Sequence, residues 1–207
     1  MTARDEILQR LRSARADVRL PRTAPPAAAA LAAVTSIQQR LDRFVREATA
    51  LTVECHVEDS SDGVHSRVRA LVGGGRVLSW AASELPYEVG ALVDRAIPGD
   101  APRDQQASAD VGITGCDAAI AETGSIVFLS GPGRSRTVSL LPPFHIAVVR
   151  RDQVVFTMEE FLAANAARVQ QAASCTFITG PSRTADIELT LTLGIHGPGR
   201  VAIVIGP

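Results

Sequence analysis

Apolar residues along this chain of 207 residues follow two rhythms, one of three and four steps and one of two. The helical rhythm opens it: Ile7, Leu8 and Leu11 share one side of the arginine-rich stretch 2–15, with Thr2 as a cap and Asp5 and Glu6 in the first turn. Leu20 to Ala30 carries PRTAPPAAAA, whose prolines break any helix, so 1–30 reads as an arm and linker ahead of one domain, 31–207. Val34, Ile37, Leu41, Phe44 and Val45 predict a helix over Leu31 to Ala50. Further helices are expected over Asp62 to Val72, stopped by Gly73-Gly74-Gly75, over Tyr87 to Ala96, and over Met158 to Ala173 with Phe161, Leu162 and Val169 on one face. Cys116 to Ala121 reads as a helical turn and Arg134 to Leu141 as a short helix stopped by Pro142-Pro143.

Short apolar or alternating runs predict strands at Leu51 to Val57, Arg76 to Trp80, Val111 to Thr114, Ser125 to Leu129, His145 to Arg150, Cys175 to Thr179 and Arg200 to Ile205. Pro98 to Ala109 reads as a polar loop. Asp186 to Leu193 alternates as a strand would, yet its place between two strands favours a helical crossover, and helix is the expectation. Strands alternating with helices imply an α/β domain with a largely parallel sheet.

Composition narrows the function. Hydrophobic residues make up 46% and charged residues 21%, with a net charge of −1, so neither nucleic acid nor an anionic membrane is indicated as a partner. Cys55, Cys116 and Cys175 are odd in number and far apart, which fits a reducing cytoplasm rather than a disulfide framework. The charged opening MTARDEILQR is not a signal peptide, and no apolar run is long enough to span a bilayer. All 21 basic residues are arginine. That excludes a lysine Schiff base and a Walker loop, both of which need lysine.

Two polar stretches carry the candidate chemistry. In the first, Thr114 closes a strand, Asp117 follows, and Glu122-Thr123-Gly124-Ser125 turns into the next strand. N–H groups in such a turn can hold a phosphate or carboxylate, and Glu122 is a candidate acid–base group at the rim. The alternative is that Asp117 and Glu122 simply cap local turns. In the second, Gly180-Pro181-Ser182-Arg183-Thr184-Ala185-Asp186 follows a strand, where open α/β sheets bind ligands. Ser182 or Thr184 would cap a helix and leave N–H donors for an anion, with Arg183 adding a fork of donors; the alternative is a plain N-cap with acids such as Asp186 on the helix dipole. His196, in Gly194-Ile195-His196-Gly197-Pro198, is a loop candidate for the cleft. The four histidines and three cysteines show no zinc or cluster spacing, so no metal site is expected. Gly131-Pro132-Gly133-Arg134-Ser135-Arg136 lacks the last glycine of a dinucleotide fingerprint.

AETG, LPPFHI, GPSRTADIE and GIHGP, read together over Asp110 to Ile205, closely resemble the LUD-domain family, and within it the LutC type. The resemblance implies a three-layer α/β/α fold similar to the ribose-phosphate isomerase and coenzyme A transferase group. It implies an accessory subunit of a cytoplasmic system oxidising L-lactate to pyruvate, working with iron–sulfur subunits that carry the clusters this chain lacks. By fold analogy the ligand, a small anion or a nucleotide-like molecule, sits at the AETGS and GPSRTAD loops. Two other readings stand beside it: a stand-alone enzyme on a phosphorylated sugar, folate or acyl-CoA, and a non-catalytic interaction subunit. A homo-oligomer is compatible with the proline-flanked arm.

Overall fold

The computed structural model describes residues 3–16, 36–93, 95–184 and 192–207. Six strands form one sheet: β1 (Glu54–Val57), β2 (Val77–Ser79), β3 (Ile97–Pro98), β4 (Val111–Thr114), β7 (Phe144–Arg150) and β12 (Arg200–Gly206). Their order is β1-β12-β7-β4-β2-β3, and every pair is parallel. β4, β7 and β12 read as continuous apolar runs because a parallel sheet is buried on both faces. The expected α/β class with a largely parallel sheet is therefore what these residues form.

A second sheet was not foreseen. It holds β5 (Ala118–Ile120), β6 (Ser125–Leu129), β8 (Val154–Val155) and β9 (Cys175–Ile178), in the order β8-β5-β6-β9. β5 replaces the helical turn expected at Cys116 to Ala121 and forms an antiparallel hairpin with β6, pairing Ile120 with Ser125. Its alternation divides the core. Ala119, Ile126 and Phe128 join the main core, while Ala118, Ile120, Val127 and Leu129 pack on Phe161 and a second, smaller core.

Among the described residues the α-helices are α1 (Ala3–Ala16), α2 (Ile37–Ala50), α3 (Ser61–Val72), α4 (Arg103–Ala107), α5 (Met158–Ala164) and α6 (Ala166–Gln171). α2 starts at Ile37 because Ser36 caps it: its hydroxyl accepts from Gln39 N and the Gln39 side chain accepts from Ser36 N, a reciprocal box. The first residues of the helix expected over Leu31 to Ala50, at 31–35, lie outside the described residues, as does the 20–30 linker. Met158 to Ala173 is broken in two at Asn165, whose Nδ2 donates to Phe161 O. The described residues of Tyr87 to Ala96 form no α-helix. Pro86–Val93 forms 3-10 turns in which Tyr87 and Glu88 take φ of 57° and 53°, with the Tyr87 hydroxyl donating to Pro207 O. Arg136–Ser139 is likewise a 3-10 turn rather than a longer helix. Pro98 to Ala109, expected as loop, contains part of β3 and all of α4. Thr192–Leu193 is a strand, β11, paired with β10 (Arg183–Thr184). The rest of the expected helix at Asp186 to Leu193 lies outside the described residues.

The order of strands fixes where a crevice opens. From β2 the chain goes outward to β3; from β4 it goes the other way, to β7. Outside the carboxyl ends of β2 and β4 the strand order reverses, and open α/β sheets bind ligands at such a point.

Candidate functional site

A cleft of about 520 Å3 lies at that reversal. Ser83 to Pro86, following β2, form one wall, and Gly115, Cys116 and Asp117, following β4, form the floor. Arg150, at the end of β7, and Asp152 and Gln153 after it close another side, and Asn165 and Arg168 come in from the α5–α6 break. Gly115 is needed where the walls meet: a Cβ there would stand 3.0 Å from Glu84 O.

Asp117 organises this cleft. Its side chain is 4% exposed. Oδ2 accepts from Leu129 N at 2.7 Å and from Arg134 Nη2 at 2.6 Å, and Oδ1 accepts from Arg168 Nη2 at 2.6 Å and Arg134 Nη1 at 3.2 Å. A carboxylate so deeply withdrawn from water is tolerable only with this many charged donors. Arg134 is fixed on its other face by Trp80, its guanidinium 4.5 Å from the ring centroid. Trp80 meets Phe128 edge-on at 5.4 Å, and Phe128 meets His145 at 5.9 Å. Cleft and core are thus one packed column.

The column ends on a neutral histidine. His145 is fully buried, its Nε2 paired with Thr114 Oγ1 at 2.9 Å and its Nδ1 without a partner among the described residues. Burial pulls its pKa down to about 3. The Cys116 thiol is pushed up, by burial first and then by the Asp117 charge, so it lines the cleft as a thiol rather than a thiolate. Gln153 locks it in place, donating from Nε2 to Cys116 O and accepting from Arg150 N. Arg150 Nε donates to Asp152 at 3.0 Å.

The residues singled out from sequence are distributed over three places. Asp117 lies in the cleft. Thr114 is buried beneath the floor, spent on His145. Thr123, Gly124 and Ser125 form the β5–β6 turn, where the N–H groups of Glu122, Thr123 and Gly124 donate to Phe156 O, Ile120 O and Ile120 O. Those donors are engaged within the fold, which leaves the exposed Glu122 carboxylate as the turn's open polar group. The two polar loops do meet. Ser125 Oγ bonds both Thr123 Oγ1 and Thr179 Oγ1 at 2.7 Å, and Gly180 follows directly. Both loops also rest on the end of α2: a Cβ on Gly124 would strike Ala48 N at 2.4 Å, and Arg183 Nη2 donates to Leu51 O at 2.9 Å. Ser182 N donates to Pro198 O and its carbonyl accepts from Gly194 N, which brings the loop of the exposed His196 alongside Ser182 and Thr184. Asp186 lies outside the described residues.

Sequence reasoning missed Arg134, Arg150 and Arg168. Arg134 sits in the glycine-rich stretch tested only as a dinucleotide fingerprint, and its partner is 17 residues away, as Arg168's is 51. Among the described residues no group of three or more His, Cys, Asp or Glu is placed to hold a metal ion, and no helix is long and apolar enough to cross a membrane.

A parallel α/β sheet with a second sheet springing from its carboxyl ends, and an arginine-rich cleft between them, defines the class of protein. The LUD domain model matches residues 41–205, and the chain belongs to that family. It is 44% identical over 101 residues to lactate utilization protein C of Halalkalibacterium halodurans, covering 47% of this chain and 44% of that protein. It is 46% identical over 99 residues to the protein of the same name from Deinococcus radiodurans, covering 47% and 46%. With the Geobacillus protein of that name it shares 34% over 151 residues, covering 64% and 63%. The chain spans about half the length of the first two relatives. In fold it is similar to the crystal structure of a DUF162 family protein from Deinococcus radiodurans, with a TM-score of 0.66 and 25% identity over 84% of this chain and 99% of that one.

Proposed function

We propose that this chain serves lactate utilisation as a LutC-type subunit, and that it does so by holding an organic anion in the cleft outside β2 and β4. The carrying observation is the Asp117–Arg134–Arg168 cluster at the reversal of strand order. The names of the relatives supply the process. The cluster supplies the chemistry: the half-exposed Arg168 guanidinium, held in orientation beside the largely buried Arg134 by one buried carboxylate, recognises carboxylate or phosphate. The Thr123–Ser125–Thr179 junction, with Glu122 at its edge and Arg183, Thr184 and His196 on the adjoining loops, is a second polar surface of the same subunit. The setting is cytoplasmic and the partners are cluster-bearing iron–sulfur subunits. A strain lacking this chain is expected to grow on a sugar and to fail on L-lactate, with growth restored by the wild-type gene. Wild-type growth on L-lactate without the gene would refute the reading.

The docking role of an accessory subunit has its own support. Leu140, Leu141 and Ile195 are each more than 40% exposed. Their loops adjoin, since a Cβ on Gly197 would stand 4.0 Å from Leu140 O. Clustered exposed apolar side chains mark interaction sites. Leu141→Asp with Ile195→Asp should abolish copurification with the iron–sulfur subunits while leaving the fold intact by circular dichroism; unchanged copurification would remove this surface.

A further inference from the structure

Arg134 does not belong to one cavity. It is also a wall of a second compartment, of about 450 Å3, which opens after β2 and β3. Pro98, Gly99, Asp100, Gly131 and Gly133 line that compartment. Two of its glycines are places where side chains do not fit: a Cβ on Gly133 would come 2.7 Å from Ala81 Cβ, and one on Gly99 would come 2.7 Å from Ser135 Cβ. The two compartments therefore lie side by side outside the carboxyl ends of the strands, divided by a guanidinium that Trp80 and Asp117 hold still.

We infer that the ligand of the cleft is an extended phosphoester of the ribonucleotide class, laid across Arg134 with its phosphate in the first compartment and its sugar in the second, and not a three-carbon hydroxy acid. The inference rests on the cleft being the ligand site proposed above. Size is the first ground. Each compartment falls in the range of roughly 300–1,000 Å3 that holds drug-sized ligands, and a lactate ion would leave either one largely full of water. Charge is the second. Arg150 uses only Nε, on Asp152, and Arg168 uses Nη1 on Asn165 and Nη2 on Asp117. Among the described residues the two terminal nitrogens of Arg150 and Nε of Arg168 are open to an anion, and guanidinium forks match phosphate oxygens in pairs. Asymmetry is the third. Asp100 is the charged group of the second compartment apart from Arg134. The acids of the first compartment, Glu84, Asp117 and Asp152, each stand within ion-pair distance of an arginine that lines it, whereas Asp100 accepts from hydroxyls, which places the sugar on its side and the phosphate on the other.

Titration calorimetry on the full chain tests this with inorganic phosphate, AMP, ADP, coenzyme A, folic acid, L-lactate and pyruvate as probes. ADP or coenzyme A is expected to bind at least about tenfold more tightly than phosphate, lactate or pyruvate, since the sugar arm adds hydrogen bonds the small ions lack. Arg150→Ala should weaken ADP and phosphate alike by about tenfold, the value of a charge-assisted bond. Asp100→Ala should weaken ADP or coenzyme A by about fivefold and leave phosphate unchanged. Both side chains are on the surface, and circular dichroism confirms that the variants fold. Lactate, pyruvate or folic acid binding as tightly as the phosphoesters overturns the inference. So does an Asp100→Ala variant indistinguishable from wild type, or no binding of any probe. A wild-type chain that binds ADP, in a strain whose growth on L-lactate does not need it, would instead sink the functional reading and leave the ligand class standing.

Discussion

At the scale of single residues, the molecule turns on two buried polar groups with opposite solutions. Asp117 gathers four donor contacts, three of them from guanidinium groups and one of 3.2 Å alone exceeding 2.7 Å. Asp117→Ala would strand the Arg134 guanidinium, 14% exposed, against Trp80 with only the more distant Glu84 to balance it. Breaking a buried pair from one side costs about 3–5 kcal/mol, and urea unfolding should show a loss in that range. Arg168→Ala removes a partner that is half exposed and should cost less than about 1 kcal/mol. His145 takes the other course and gives up its charge. Its pKa in the fold is about 3, below the ordinary 6.5, so the unfolded chain takes up a proton between those values and the folded chain does not. Stability held by this group is complete above pH 6.5 and is lost as pH falls toward 3. Between pH 6.5 and 5 the loss should reach about 2 kcal/mol, at 1.36 kcal/mol per unit. His145→Gln should flatten that part of the profile, and an unchanged slope would mean that His145 carries no such linkage.

At the scale of elements, what could be read from sequence was what local pattern alone decides. β4, β6, β7 and β12 are legible because unbroken β-branched runs suit strands buried on both faces. α3 is legible because Gly73, at φ 59°, ends it. β5 was not, since Ala118-Ala119-Ile120 has no strong preference and becomes a strand only by lying between β6 and β8. The turns at Tyr87 were not, since the φ of 57° there is held by packing on Gly206, where a Cβ would meet the ring at 2.5 Å. The cleft was illegible for a similar reason. Its arginines are scattered and only the reversal of strand order assembles them, whereas Asp117 announced itself by standing in a turn between two apolar runs. Where the polar turns were legible, their importance to docking of elements was not. Gly124, at φ 66°, lets the β5–β6 hairpin rest on the end of α2. Gly124→Ala should lower stability by more than about 2 kcal/mol, from the left-handed backbone and the collision with Ala48 together, as measured by thermal unfolding. Ser36→Ala, which removes one cap of the same helix, should cost about 1 kcal/mol.

At the scale of the whole molecule, two sheets share a core, and the line along which the second leaves the first is where the cleft opens. β4 passes into β5 through Gly115, Cys116 and Asp117, and β7 passes into β8 through Arg151, Asp152 and Gln153. The same short connections that join the sheets therefore furnish the floor and one side of the cleft. Ligand binding there would brace one sheet against the other, and a saturating ligand should raise the unfolding midpoint by mass action. The reading of the chain as a lactate-utilisation subunit depends on that cleft acting in the cell. The most direct measurement is growth of a strain carrying Arg150→Ala together with Arg168→Ala, compared on L-lactate and on a sugar, with the variant's abundance checked by immunoblot. Growth should be lost or strongly slowed on L-lactate alone at normal abundance; growth on L-lactate at the wild-type rate would contradict a working role for the cleft.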